Sequence, residues 1–101
     1  MDPIKRRVLE LISADRVRRR KHFRQRCDHY EVLVQEAFEV LKGGAILTGQ
    51  ADFDARFGER HRFRGRDSRN RQWDVVVSVD EVGNLLWLHT VFPSRHKGRR
   101  R

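Results

Sequence analysis

The chain has 101 residues, of which 38% are apolar, so its length suits one domain with a modest core and excludes two domains. Nineteen arginines and four lysines outnumber 14 acidic residues, and the net charge of +9 favours a polyanionic partner, which is nucleic acid, an acidic protein or an anionic membrane surface. One cysteine cannot form an intrachain disulfide, and no apolar run has the length of a signal peptide core or a membrane span. We therefore expect a cytoplasmic protein with no membrane association.

The N-terminal segment has the pattern of a short amphipathic helix over residues 3–13. Asp2 suits the N-cap position and Pro3 the first helical position. An apolar stripe follows at helical spacing, formed by Ile4, Val8, Leu11 and Ile12. Next comes a basic stretch, residues 16–26 (RVRRRKHFRQR), in which seven of eleven residues are Arg or Lys. Its pattern fits either a short strand or the start of a helix, and periodicity does not decide between them.

A second helix is predicted over residues 29–41. Asp28 and Glu31 have the spacing of a capping box, in which the glutamate reaches back to the amide of the N-cap residue. The pair Gly43-Gly44 supplies the C-terminal stop. The core stripe of this helix comprises Tyr30, Leu33, Val34, Ala37, Phe38 and Leu41. Tyr30 is interpreted as a core or rim residue.

Strand patterns dominate the C-terminal half. We expect a short strand over 45–48, a loop over 49–58, and a strand over 59–66 (ERHRFRGR). In the last of these, period two places Arg60, Arg62, Arg64 and Arg66 on one face and Phe63 on the other. The strongest strand patterns are 72–80 (QWDVVVSVD) and 85–92 (LLWLHTVF), which residues 81–84 join as a hairpin.

The loop length of this hairpin decides which side chains share a face. For an even loop, the core face combines Trp73, Val75, Val77 and Val79 with Leu86, Leu88, Thr90 and Phe92. The opposite face then includes His89. An odd loop or a β-bulge would move His89 to the face of Val77.

The elements together predict one α+β domain over residues 1–95. Its N-terminal helices are expected to pack on one face of a three- to four-stranded antiparallel sheet. Residues 96–101 are predicted to form a basic C-terminal tail.

The chain offers histidines and arginines but none of the common catalytic motifs. It has no zinc-type histidine spacing, no glycine-rich phosphate loop and no nucleophile elbow, and we predict neither a metal nor a cofactor. Cleavage of RNA through its own 2′-hydroxyl needs a base, an acid and a fixed positive charge, which histidine and arginine supply. His22, inside the basic stretch, and His89, on a central strand, are the candidates for proton transfer. For His89 the alternative is a structural histidine within the sheet.

Basic and aromatic side chains around these histidines are predicted to bind nucleic acid. The predicted contacts are Arg20, Lys21, Arg24, Arg60, Arg62, Arg64, Arg71 and Trp87. Arginines and lysines would bind phosphates, and a tryptophan, Trp87 or Trp73, would stack on a base. The alternating arginines of 59–66 also fit a solvated edge strand that charge protects from aggregation.

One combination of motifs resembles a known family. The chain resembles a small bacterial domain family of the RelE/BrnT-like toxin superfamily in the order of its motifs. These are Lys21-His22, then Arg24 or Arg26, then the helix over 29–41, and last the strand LHTVFPSR (88–95). The resemblance covers residues 16–95. It implies a barnase/colicin/RelE-type fold, a ribonuclease toxin and a small antitoxin that neutralises it. By position, His22 and Arg26 match the His/Arg motif of the family and Thr90 matches the threonine of its last strand, whereas His89 lies outside the pattern.

Three hypotheses follow for the function. The first is a metal-independent endoribonuclease of a toxin–antitoxin pair, with His22, Arg26, His89 and Thr90 as catalytic residues, RNA as substrate and a small acidic antitoxin as partner. The second is a non-catalytic RNA- or DNA-binding protein that uses the same arginines. The third is a protein whose basic surface binds an acidic protein, with no nucleic acid involved.

Overall fold

The computed structural model describes residues 2–47, 52–54 and 58–94. The helices are α1 (Pro3–Ser13), α2 (Lys21–Tyr30) and α3 (Val34–Gly43). The strands are β1 (Val17–Arg19), β2 (Ala45–Ile46), β3 (Asp52–Asp54), β4 (Gly58–Arg66), β5 (Gln72–Asp80) and β6 (Leu85–Pro93). The α+β class is therefore confirmed. Strand β3 lies within the loop predicted over 49–58, and residue 58 begins β4. The other residues of that loop lie outside the described residues. So does the predicted tail over 96–101.

The sheet is mixed and larger than the antiparallel sheet predicted from the sequence. Its strand order is β1-β6-β5-β4-β2, and β3 also pairs with β4. The pairs β6-β5, β5-β4 and β4-β2 are antiparallel, but β1 runs parallel to β6, with Val17 opposite Leu86. Strands β1 and β2 have three and two residues, too few for a period of two to be recognised in the sequence. The basic stretch thus contains both a strand and the first part of helix α2.

The helix predicted over 29–41 is instead two helices with a break between them. Glu31 has a φ of 57°, a left-handed conformation that ends α2 after Tyr30, so the predicted capping box of Asp28 and Glu31 is wrong. The capping glutamate is Glu36, whose carboxylate accepts a hydrogen bond from the backbone N–H of Leu33 at 2.9 Å. The same carboxylate accepts hydrogen bonds from Arg69 and Arg71, so tertiary contacts hold Glu36 at this position.

The core lies between the helices and one face of the sheet. Phe23 of α2, Val40 and Leu41 of α3, and Phe63 of β4 are all fully buried. From β5 and β6 the core receives Trp73, Val75, Val77, Leu86, Leu88 and Val91. The predicted core residues of β5 and the first half of β6 are confirmed.

A β-bulge changes the second half of β6. Val77 lies opposite Leu88 but Val76 lies opposite Thr90, so His89 is the additional residue. Beyond the bulge the alternation is reversed, and Val91 occupies the core position opposite Val75. The prediction that Thr90 and Phe92 face the core is therefore wrong. His89 does not move to the face of Val77 either, since its ring contacts Ser78 on the other face.

Helix α3 and strand β4 approach each other at backbone distance. A Cβ atom on Gly65 would lie 2.9 Å from the Cα of Gly44 and 3.0 Å from the carbonyl oxygen of Val40. Such distances are shorter than van der Waals contact, so only glycine fits at this crossing. The end of α3 is thereby fixed against the sheet.

Candidate active site

An open pocket of about 350 Å³ lies between helix α2 and strand β6. Its lining residues are His22, Arg26 and Tyr30 from α2 and Thr90, Phe92 and Pro93 from β6. The three helical residues are spaced by four, which places them on one face of α2. The pocket therefore brings together three of the four predicted catalytic residues, His22, Arg26 and Thr90.

The local fold places both walls of this pocket. Arg20 directly precedes α2 and donates its backbone N–H to the carbonyl of Leu88 at 3.1 Å, which fixes the start of the helix beside β6. Phe23 anchors the helix in the core, while His22 remains exposed. On the opposite wall, the bulge in β6 turns Thr90 and Phe92 out of the core. The pocket is thus a direct result of the bulge.

Tyr30, like Phe92 and Pro93, lines the pocket but was not among the predicted site residues. Its ring centre lies 5.7 Å from that of Trp73, and the guanidinium carbon of Arg71 lies 5.0 Å from the centre of the Trp73 ring. Tyr30 is partly buried against the core, so its interpretation as a core or rim residue is confirmed, and its place in the pocket is additional. Its spacing of four from Arg26 and eight from His22 was the available signal.

His89 lies apart from this pocket. Its side chain is 2% exposed, with Nε2 2.8 Å from the hydroxyl of Ser78 and Nδ1 3.3 Å from the guanidinium of Arg20. A guanidinium has only donors, so Nδ1 accepts and Nε2 carries the hydrogen that is donated to Ser78. His89 is therefore not among the residues that line the pocket with His22. Its contacts connect the start of α2 to the sheet.

The alternation predicted along β4 is confirmed. Phe63 is fully buried, while Arg62 and Arg64 lie on the other face and contact Asp74 of β5. Arg64 donates two hydrogen bonds to the carboxylate of Asp74, at 2.8 and 3.0 Å. The guanidinium of Arg62 lies 3.6 Å from the same carboxylate and 5.0 Å from the centre of the Phe92 ring. Arg62 thereby connects the arginine face to the pocket.

The remaining predicted nucleic-acid contacts fall in different places. Lys21 and Arg24 are exposed in the first turns of α2. Trp87 is partly buried opposite Ser78, on the same face as Arg60. Arg71 instead belongs to an ion cluster behind the pocket, so its principal contacts are within the protein.

That ion cluster comprises Glu36, Asp67, Arg69 and Arg71. Glu36 is 4% exposed and accepts from Arg69 at 2.8 and 3.0 Å and from Arg71 at 3.1 Å. Asp67 is also buried and accepts from the Trp73 indole and from Arg71, each at 2.9 Å. Arg69 also donates to the carbonyl of Glu31 at 3.0 Å. The cluster therefore fixes the end of α2, where Tyr30 lies, and it joins residues too distant in sequence for spacing to indicate.

Hydrogen bonds in this cluster shift the acidity of its carboxylates. Burial raises the pKa of Asp67, but hydrogen bonds from Trp73, Arg71 and Arg69 outweigh it and lower the pKa from 3.8 to about 2. The hydrogen bond from Arg69 and that from the Leu33 backbone likewise lower the pKa of Glu36.

We expect these shifts to make the fold sensitive to acid. Because the folded-state pKa lies below the unfolded one, the stabilisation is complete above about pH 4 and is lost as the pH falls towards 2. Urea unfolding at steps between pH 7 and pH 2.5 measures this loss. The free energy of unfolding of the Asp67→Asn variant should decrease less over the same pH range. A decrease equal to that of the wild type would contradict the assignment to Asp67.

Within the described part of the chain, no helix is long and apolar enough to cross a membrane. The same described residues contain no group of three or more His, Cys, Asp or Glu side chains that could hold a metal ion. Comparisons with protein-family models, curated proteins and solved structures find no match to this chain.

Proposed function

We propose that the chain is a toxin-type endoribonuclease that needs no metal, and that the pocket between α2 and β6 binds the phosphate to be cleaved. The observation that carries this proposal is the convergence of His22, Arg26 and Thr90 in one open pocket. The fold is proposed to be of the RelE/barnase type, and the partner a small acidic antitoxin. The helices on one face of a mostly antiparallel sheet support the first of these, and the net charge of +9 supports the second.

The chemistry of the pocket suits attack by the 2′-hydroxyl of RNA. His22 is placed to take the hydroxyl proton, because it is the exposed imidazole of the pocket. Arg26, one helical turn further along, supplies a fixed positive charge for the phosphorane. The hydroxyl of Thr90 adds a hydrogen-bond donor from the opposite wall.

The start of α2 adds to the attraction for phosphate. The side chain of its N-cap residue, Arg20, makes no capping hydrogen bond, and its first turn contains no acidic residue. Lys21 and Arg24 are exposed there instead, an arrangement opposite to the usual preference for acids at a helix N-terminus. The positive end of the helix and these side chains therefore attract the same phosphate chain.

Replacing His22 tests this function. We expect His22→Ala to lower the rate of RNA cleavage by about 10²- to 10⁴-fold, as loss of a general base does, while RNA affinity stays within a few-fold. The assay measures cleavage in excess EDTA and binding by fluorescence anisotropy. Gln25→Ala is the control, because Gln25 is an exposed residue of the same helix outside the pocket lining, whereas the ring of the other histidine of α2, His29, contacts that of Tyr30.

Expression in bacteria supplies a second measure. Growth should stop on expression of the wild-type chain and of Gln25→Ala but not of His22→Ala. A wild-type protein that neither cleaves RNA in EDTA nor arrests growth would overturn the proposal.

Non-catalytic binding of nucleic acid is the second candidate function. The position of His89 favours it, since the pocket then contains a single imidazole where two were expected. This candidate predicts no cleavage by any variant, and an RNA affinity that decreases steeply with salt. Absence of salt-sensitive binding would leave an acidic protein as the partner.

A further inference from the structure

Three side chains form a row along the pocket face of α2. His22 and Tyr30 are at the ends of the row and Arg26 is midway, with a rise of about 6 Å between neighbours and about 12 Å between the ends. Cleavage of RNA by its 2′-hydroxyl is an in-line displacement, in which base and acid act on opposite sides of phosphorus. Positive charge is needed between them. The row has this order: imidazole, guanidinium, phenol.

We propose that Tyr30 is the general acid that protonates the leaving 5′-oxygen. This assignment rests on the proposed ribonuclease function, and it gives His22 a partner in proton transfer, a role for which His89 was a candidate. Phenol is a far better proton donor than the aliphatic hydroxyl of Thr90, and the guanidinium of Arg26 keeps its proton. Among the pocket residues, Tyr30 is therefore the partner for His22.

The proposed step balances in protons and bonds. His22 removes the proton of the 2′-hydroxyl, and the 2′-oxygen forms a bond to phosphorus. The bond between phosphorus and the 5′-oxygen breaks, and that oxygen takes the proton of the Tyr30 hydroxyl. The products are a 2′,3′-cyclic phosphate and a free 5′-hydroxyl. Exchange with water then returns a proton to Tyr30 and removes one from His22.

The contacts behind Tyr30 fix the position of its ring. Trp73 packs against it with ring planes at 55°, and the indole of Trp73 is bound to the buried carboxylate of Asp67. The next residue along the chain, Glu31, has its carbonyl bound by Arg69 and by Arg71 at 3.0 and 3.3 Å. Tyr30 is thus held from two sides, while its place in the pocket lining leaves it open to a ligand. Preorganisation of this kind is expected of a proton donor.

A substrate with an altered leaving group tests the assignment. In a 5′-bridging phosphorothiolate, sulfur replaces the leaving oxygen and departs as a thiolate, which needs no proton. We expect Tyr30→Phe to lower kcat on ordinary RNA by about 10²-fold or more, the scale of general acid catalysis. The same variant should cleave the phosphorothiolate at a rate within a few-fold of the wild-type rate. Phenylalanine keeps the ring against Trp73, so the melting temperature should be unchanged.

His22→Ala is the companion variant. Both substrates need removal of the 2′-hydroxyl proton, so this variant should lose activity on both. An equal loss by Tyr30→Phe on the two substrates would show that the hydroxyl only positions the RNA, and no loss on ordinary RNA would remove Tyr30 from the reaction. Wild-type protein that cleaves neither substrate would instead overturn the ribonuclease function itself, and the assignment of Tyr30 with it.

Discussion

Replacing Gly44 with alanine is expected to lower the free energy of unfolding by about 3 kcal/mol or more, at the upper end of overpacking effects. A Cβ atom at this position would collide with the carbonyl oxygens of Val40 and Arg64. Both oxygens belong to backbone within regular structure, so neither can move independently. The φ of Gly44 is −89°, which alanine adopts without strain, so the collision alone accounts for the effect.

The neighbouring glycine is the control. A Cβ atom on Gly43 would meet nothing within 4 Å, and Gly43→Ala should leave stability unchanged or raise it by up to about 1 kcal/mol through helix propensity. Urea unfolding followed by circular dichroism measures both variants. Equal stabilities for Gly43→Ala and Gly44→Ala would show that α3 and β4 do not approach as described.

Glu36→Gln is expected to lower the free energy of unfolding by about 2 kcal/mol, the scale of charge-assisted hydrogen bonds. The substitution preserves the shape of the side chain but removes the charge that Arg69 and Arg71 contact. It also brings an amide NH₂ group towards guanidinium donors. Because the pKa of Glu36 is lowered in the folded state, the difference from the wild type should be full at neutral pH and should shrink as acid protonates the wild-type carboxylate.

Glu31→Gln provides the comparison for this variant. Glu31 is exposed, and its contacts with Arg69 and Arg71 use the backbone carbonyl, which the substitution retains. We expect its unfolding free energy to stay within about 0.5 kcal/mol of the wild type. Similar decreases in the unfolding free energy of Glu36→Gln and Glu31→Gln would mean that general charge balance, and not the buried cluster, determines the stability.

Sequence patterns predicted the features that depend only on residues close together along the chain. Asp2 and Pro3 were sufficient to locate the start of α1, and alternation along β4 predicted the opposite faces of Phe63 and Arg64. The break at Glu31 was not predictable, because the arginines that stabilise it come from the turn before β5. Nor was the bulge at His89, since an additional residue leaves the composition of a strand unchanged.

The same distinction applies to the candidate site. His22 and Arg26 lie one turn apart on α2, but the sequence left their stretch open between a strand and the start of a helix, so spacing alone did not bring them together. Thr90 was named from the resemblance, and the bulge that brings it to the pocket is a tertiary feature. Tyr30 was interpreted as a core or rim residue and does pack against the core, but its place in the pocket depends on the tertiary arrangement of α2 and β6.

The parallel pairing of β1 with β6 has a consequence for the order of folding. It joins residues 17–19 to 86–88, near opposite ends of the described chain, so its loop-closure entropy is among the largest that the fold must overcome. Synthesis begins at the N-terminus, and His22 therefore has no opposite wall until Thr90 and Phe92 have been added. A nascent chain carries the basic helix but not the pocket. On the proposed function, a ribosome that makes this protein is exposed to the assembled site only after translation has passed Pro93.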